Sequence, residues 1–465
     1  MKHLLWLLFL AMPLFGQDYF TERYQPFQEN ITAPKDFLGH EIGSQHTRHD
    51  QIVSYLEYLA KVSDQAQILY YGKTHEGRKL PLLVISTPDN LANLKSIKKA
   101  HLDYAKGLLS EEPDIPLILN LAYNVHGNEP SSSEAALLSA YTLTASKDKQ
   151  IISFRENSII FIDPTINPDG RDRHTQWANS YKGTPLVSDP VDAEHNEAWP
   201  GGRTNHYWFD LNRDWLLAIN PESQGKLAWY HQWYPNVVTD FHEMGSQSSY
   251  FFEPMKANGS LDPIMPKDNY LKLNDLFASY FSKSLDSIGS LYFTKEAFDG
   301  TYPGYGSSYP DLQGGLGLLF EQASSRGHKQ KTKYGYITFP FTIRNQFVSS
   351  MATVQAAVEN KSTLRTYQKA FFKSAIEKSA KSKIKAYTFS EKDQNRNKAF
   401  IDKLIRHKVS VLKTGKDTFV VPTNQPQYRM VQTFFETYES YHDSVYYDAS
   451  AWSVANFYNI KYASS

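Results

Sequence analysis

Four short, largely apolar runs, each breaking into polar residues at its C-terminal end, constrain this chain more than any other feature. They are PLILNLAY (116–123), SIIFID (158–163), NVVTDF (236–241) and LGLLF (316–320). A strand open to water on one face alternates apolar and polar residues, so a continuous short run predicts a strand covered on both faces. Helical apolar spacing fills the intervals, as in SSSEAALLSAYTL (131–143), and QIVSYLEYLAK (51–61) leads into the strand-like pair AQILYYG and KLPLLVIS around the turn KTHEGR. This alternation predicts an α/β fold with a mixed, mostly parallel central sheet flanked by helices. In such sheets ligands collect beyond the carboxyl ends of the strands, where these runs turn polar.

Local signals fix the edges of several elements. Ser131 and Glu134 fit a capping box at the start of the helix 131–143. The polar segment from Arg173 to Tyr207, with little periodicity, reads as a long loop that forms part of a site. Residues 1–16, MKHLLWLLFLAMPLFG, place one Lys before an apolar run too short to span a bilayer comfortably, the pattern of a secretory signal peptide. The expected organisation is therefore a signal at 1–16, a catalytic domain over 17–356, a Lys-rich helical connector over 357–383 and a small α/β module over 384–465. That last module is short for an independent core.

Composition narrows the partners. Lys plus Arg and Asp plus Glu each total 49, so no net field draws the chain to nucleic acid or an anionic membrane. The chain has no Cys, which excludes disulfides, thiolate metal ligands and a lipidated Cys after the signal. No later segment is apolar enough for a membrane span. An exported protein follows, secreted or periplasmic, whose oligomeric state the sequence leaves open.

The sharpest chemical signal is His126-Gly127-Asn128-Glu129, between a buried strand and a helix. An imidazole and a carboxylate three residues apart on a tight turn can hold one zinc ion, and a hydrolytic zinc needs one further protein ligand while keeping a position for water. His242, directly after VVTDF, is the best candidate. The sequence HEMGS lacks the second His of H-E-x-x-H, so the ligands must come from separate loops.

In chain order, HGNE, NPDG (167–170), FDLNRDW (209–215), DFHEMG (240–245) and LLFEQ (318–322) together resemble the zinc carboxypeptidases of the pancreatic type, over roughly residues 45–350. The resemblance implies one zinc per chain on His126, Glu129 and His242, with Asp210 orienting a ligand imidazole. It implies Glu321 as general base, and Asn212 with Arg213 as the clamp for a substrate's C-terminal carboxylate. Arg203 fits the arginine that stabilises the oxyanion, with Arg171 and Arg173 as competitors. A tyrosine covering the bound residue falls among Tyr302, Tyr305 and Tyr309, with Tyr302 preferred. His174, His195 and His206 read as loop hydrogen-bonders.

The implied activity is metal-dependent hydrolysis of peptides bearing a free C-terminal carboxylate. The alternatives are an amidase of cell-wall peptides, a deacylase of N-acyl amino acids, and a non-catalytic binding module. The C-terminal module resembles amidotransferase-like domains appended to some bacterial relatives, without a Cys nucleophile, so no second activity is inferred.

Overall fold

The structure, a computed structural model, describes residues 19–256, 262–438 and 447–465; the expected signal at 1–16 lies outside the described residues. Seven strands form the main sheet: β1 (Ala66–Lys73), β2 (Lys79–Ile85), β3 (Leu117–Ala122), β4 (Ser158–Asp163), β5 (Val237–Met244), β6 (Tyr250–Phe252) and β7 (Leu316–Ala323). Their order is β1-β2-β4-β3-β5-β7-β6. The four central strands β4, β3, β5 and β7 run parallel, and the flanking strands pair antiparallel. The four apolar runs are the four central strands.

The reason is visible in where the side chains go. Along β3, Leu117, Leu119 and Leu121 enter one core while Ile118 enters the other; along β4, Ile160 and Ile162 oppose Ile159 and Phe161 in the same way. Both faces are buried, and the polar residue within β3, Asn120, is satisfied there by the Lys226 ammonium at 2.7 Å and the Phe161 carbonyl at 3.1 Å. The first core is closed by the helices His49–Val62, Ser131–Ala145 and Phe339–Glu359, the second by Pro221–Trp233.

Two local expectations change. The helix at 131 starts where the sequence places it, but not through a capping box: its N-cap is Pro130, without a side-chain cap. Glu134 instead takes the Thr47 N–H at 2.7 Å and the Arg171 guanidinium at 2.8 Å, because this helix is buried along its whole length. The long loop begins only after Tyr181, since a helix spans Pro168–Tyr181. Its start was encoded in NPDG: the Asn167 side chain accepts the Gly170 N–H at 3.0 Å, and Pro168 sits where no N–H is needed.

Beyond the main sheet, β8 (Lys329–Thr332) and β9 (Gly335–Thr338) form a hairpin. A helix spans Lys361–Lys381, and a second, antiparallel sheet then forms from β10 (Ala386–Ser390), β11 (Leu412–Lys413), β12 (Thr418–Pro422) and β13 (Tyr462–Ser464) in the order β11-β12-β10-β13. Tyr387, Phe389, Val421 and Phe434 from this part join the same core as Trp229 and Tyr230 of the main sheet's cover. A module too small to bury its own apolar surface thus completes it against the larger one. Among the described residues no helix is long and apolar enough to cross a membrane.

Candidate metal centre and active site

The first ligand turn follows β3. Asn124 takes a left-handed φ of 56°, and its amide donates to the carbonyls of His126 at 2.9 Å and Glu129 at 2.8 Å. The Glu129 N–H closes the turn on the His126 carbonyl at 3.1 Å. Only glycine fits between them: a Cβ on Gly127 would stand 2.1 Å from the backbone of Gly170 and Arg171. The turn sets His126 Nδ1 2.9 Å from Glu129 Oε1. From β5, His242 brings its Nδ1 to 3.2 Å from His126 Nδ1 and 3.0 Å from Glu129 Oε2.

The outer nitrogens explain the inward ones. His126 Nε2 lies 2.9 Å from Asp210 Oδ1, and His242 Nε2 lies 2.8 Å from Asp240 Oδ1. A carboxylate at Nε2 holds the ring proton there, which turns the Nδ1 lone pair of each neutral ring towards the shared centre. Burial disfavours charge on these rings, yet Glu129 with Asp210 raises His126, and Asp240 with Glu129 lifts His242 well above the ordinary imidazole value. Burial is likewise outweighed at Glu129, whose carboxyl the two imidazoles hold far below the usual range.

Such a set suits a divalent cation. The three donor atoms lie within 4.8 Å of one another, and this is the group of His and carboxylate side chains among the described residues that could hold a metal. Tetrahedral ligands at zinc–nitrogen and zinc–oxygen bond lengths stand about 3.3 Å apart. The separations of 2.9 to 3.2 Å match that spacing to within a few tenths of an ångström.

Around this centre lies a cavity of about 240 Å³, lined by His126, Glu129, His242, Glu321, Arg203, Asn212, Arg213 and Tyr305. Glu321 sits on β7 directly opposite His242 in register. Burial raises its carboxyl; His242 offsets part of that and Glu129 adds to it, leaving the group at about 8. Arg203 donates to Asp210 Oδ2 at 2.9 Å and lies 3.5 Å from Glu129 Oε1. Arg171 and Arg173 point elsewhere: Arg171 is fully buried against Glu134, and Arg173 donates to the carbonyls of Gly201 and Asn205, both at 2.9 Å.

Asn212 accepts the Gly306 N–H at 2.7 Å and packs its amide nitrogen 2.9 Å from His242 Nε2. Tyr302 is buried, its hydroxyl donating to the Arg213 carbonyl at 3.0 Å, whereas Tyr305 lines the cavity and Tyr309 is buried behind it. His174, His195 and His206 contact Glu197, the Asp189 carbonyl and Glu76.

Sequence reading missed Asp240. Its signal was present, because residues two apart on a strand share a face, so Asp240 and His242 point the same way. It also missed Glu243, a buried carboxylate that accepts the Ser131 N–H at 2.7 Å and the hydroxyls of Ser131 and Ser324.

Residues 52–252 match the zinc carboxypeptidase family. Carboxypeptidase E of Caenorhabditis elegans is 28% identical over 191 residues, 38% of this chain; the match spans only 33% of that relative's length. Among solved structures, a metallo-carboxypeptidase from Burkholderia cenocepacia is 16% identical, with a TM-score of 0.46, covering 66% of this chain and 69% of its own. A metallo-carboxypeptidase from Pseudomonas aeruginosa, in complex with (2-guanidinoethylmercapto)succinic acid, is 14% identical with a TM-score of 0.44, covering 68% of this chain and 69% of its own. The matched stretch contains His126, Glu129 and His242, the three residues that could hold a metal.

Proposed function

We propose that this chain is an exported, zinc-dependent peptidase that removes residues from the C-termini of peptides. The observation that carries the reading is the convergence of two imidazole Nδ1 atoms and one carboxylate within 4.8 Å, with Glu321 and two guanidiniums on the walls of the same cavity.

His126, Glu129 and His242 would hold the zinc. When bound, the ion supplies Lewis acidity towards a carbonyl and lowers the pKa of a coordinated water. Asp210 and Asp240 keep the two rings in the tautomer that presents Nδ1. Glu321 takes the proton of the attacking water and returns it to the leaving amine. Arg203, beside Glu129, faces the oxygen of the attacked carbonyl, where developing charge is greatest. Arg213, with Asn212, takes the terminal carboxylate on its planar fork. Tyr305, on the cavity wall, suits the covering role better than Tyr302, which sits behind Arg213.

The test combines metal analysis with hydrolysis of blocked peptides in pairs, one member with a free and one with an amidated C-terminus. Turnover should require the free carboxylate. Glu321→Gln should retain zinc and lose about 10²- to 10⁴-fold in kcat. Equal cleavage of both members would contradict the Arg213 assignment and favour an amidase, and an active Glu321→Gln protein would remove the general base.

A further inference from the structure

We infer that the C-terminal module completes the carboxylate-binding site by placing Tyr447 against the Arg213 guanidinium, beside Tyr305. The inference rests on the reading of Arg213 as the carboxylate-binding group, and it gives the module a role in the same reaction.

The guanidinium carbon of Arg213 lies 4.7 Å from the ring centroid of Tyr305 and 5.1 Å from that of Tyr447. Tyr447 also meets Tyr302 edge-on at 5.2 Å and Tyr305 at 6.0 Å, so its ring belongs to the aromatic group that walls Arg213. Burial works against the charge of Arg213, but Asp210 and the two tyrosines outweigh it and raise its pKa. A guanidinium held against a wall of two adjoining rings cannot swing freely, and the N–H groups turned away from that wall remain for a ligand. Among those groups one donates to the Asn212 carbonyl at 3.1 Å, and the guanidinium is also hydrogen-bonded to the Tyr447 side chain. The rest faces the cavity that Arg213 lines.

Tyr447 does not reach this place alone. The buried hydroxyls of Thr301 and Ser450 meet at 2.9 Å, which ties the segment after Tyr447 to the loop that carries Tyr302 and Tyr305. Further along that loop, the Tyr309 hydroxyl lies 2.7 Å from His407 Nδ1, while His407 Nε2 lies 2.7 Å from the Leu216 carbonyl. Burial lowers His407 to about 3, so the ring is neutral. Its one N–H donates to Leu216 and its bare nitrogen accepts from Tyr309. Leu216 stands three residues after Arg213. One neutral histidine of the C-terminal module therefore pins both segments between which Arg213 is held. Tyr447 acts as a positioning residue: it fixes the guanidinium that binds the carboxylate.

The experiment uses the full-length, zinc-loaded protein with Tyr447→Ala, Tyr447→Leu, which keeps bulk without a ring, and Tyr447→Phe. Kinetics on the free and amidated peptide pairs are joined by calorimetric binding of the free-carboxylate peptide in the Glu321→Gln background, which reads affinity without turnover. Removing the ring should raise KM and Kd for the free-carboxylate peptide by about 3- to 30-fold. The same change should leave kcat, zinc content and binding of the amidated peptide unchanged, and Tyr447→Phe, which keeps the ring but loses the hydrogen bond to Arg213, should fall between Tyr447→Leu and the parent. The inference is overturned if the parent distinguishes the two peptides while Tyr447→Leu still binds the free carboxylate as well as the parent does. It is equally overturned if the ring variants lose kcat rather than affinity. If the parent binds both peptides alike, the carboxylate reading of Arg213 is what fails, and this inference falls with it.

Discussion

Replacing Asp240 by Asn tests whether the carboxylates behind the two imidazoles hold the metal centre together. Asp240 Oδ1 is 2.8 Å from His242 Nε2, and its side chain is 3% exposed. Its other oxygen, Oδ2, is buried without a hydrogen-bond partner. Loss of such a partner costs about 10- to 100-fold in metal affinity, equivalent to about 1.4 to 2.7 kcal/mol. The companion carboxylate calibrates where in that range each falls. Asp210 is 22% exposed and shares its charge with Arg203 at 2.9 Å, so water and a guanidinium already screen it. Asp240→Asn should therefore weaken zinc binding by nearly 100-fold and Asp210→Asn by nearer tenfold. Competition against a chromogenic chelator at fixed neutral pH measures both. Zinc affinity within threefold of the parent, or a larger loss at Asp210, would refute the argument.

Two further outcomes follow from buried groups outside the centre. Arg171 and Glu134 form an ion pair in which neither side chain is exposed, so Glu134→Gln should leave an unpaired buried guanidinium and cost about 3 to 5 kcal/mol in urea unfolding. Burial raises the Asp311 carboxyl to about 8. A folded-state pKa above the unfolded one stabilises the protein at low pH, and that contribution is lost as pH rises towards 8. Melting temperature should accordingly fall between mildly acidic and mildly alkaline pH. Asp311→Asn, which keeps an oxygen for the Gly317 N–H at 2.7 Å, should flatten the fall.

What the sequence determined by itself was the set of central strands and the chain positions of the candidate metal ligands. A strand buried on both faces is mostly apolar, and the end of an apolar run marks where the chain leaves the core. His126, His242 and Glu321 could be found because each stands at or near such an end, on strands that prove to be neighbours in the order β3-β5-β7. The helix Pro168–Tyr181 was harder to read because its polar, aperiodic sequence resembles a loop, and its Asn-Pro start was absorbed into a motif. Tertiary structure alone decided the rest. Glu134 left its expected cap because a buried Arg171 needed a counter-charge, while Glu243 took the Ser131 N–H at the helix start. Asn212 turned to Gly306 and His242, and Tyr447 reached Arg213 from a different part of the chain. Local pattern reports whether a residue is buried, but which buried polar group it meets depends on elements that are distant in sequence, and no periodicity encodes that pairing.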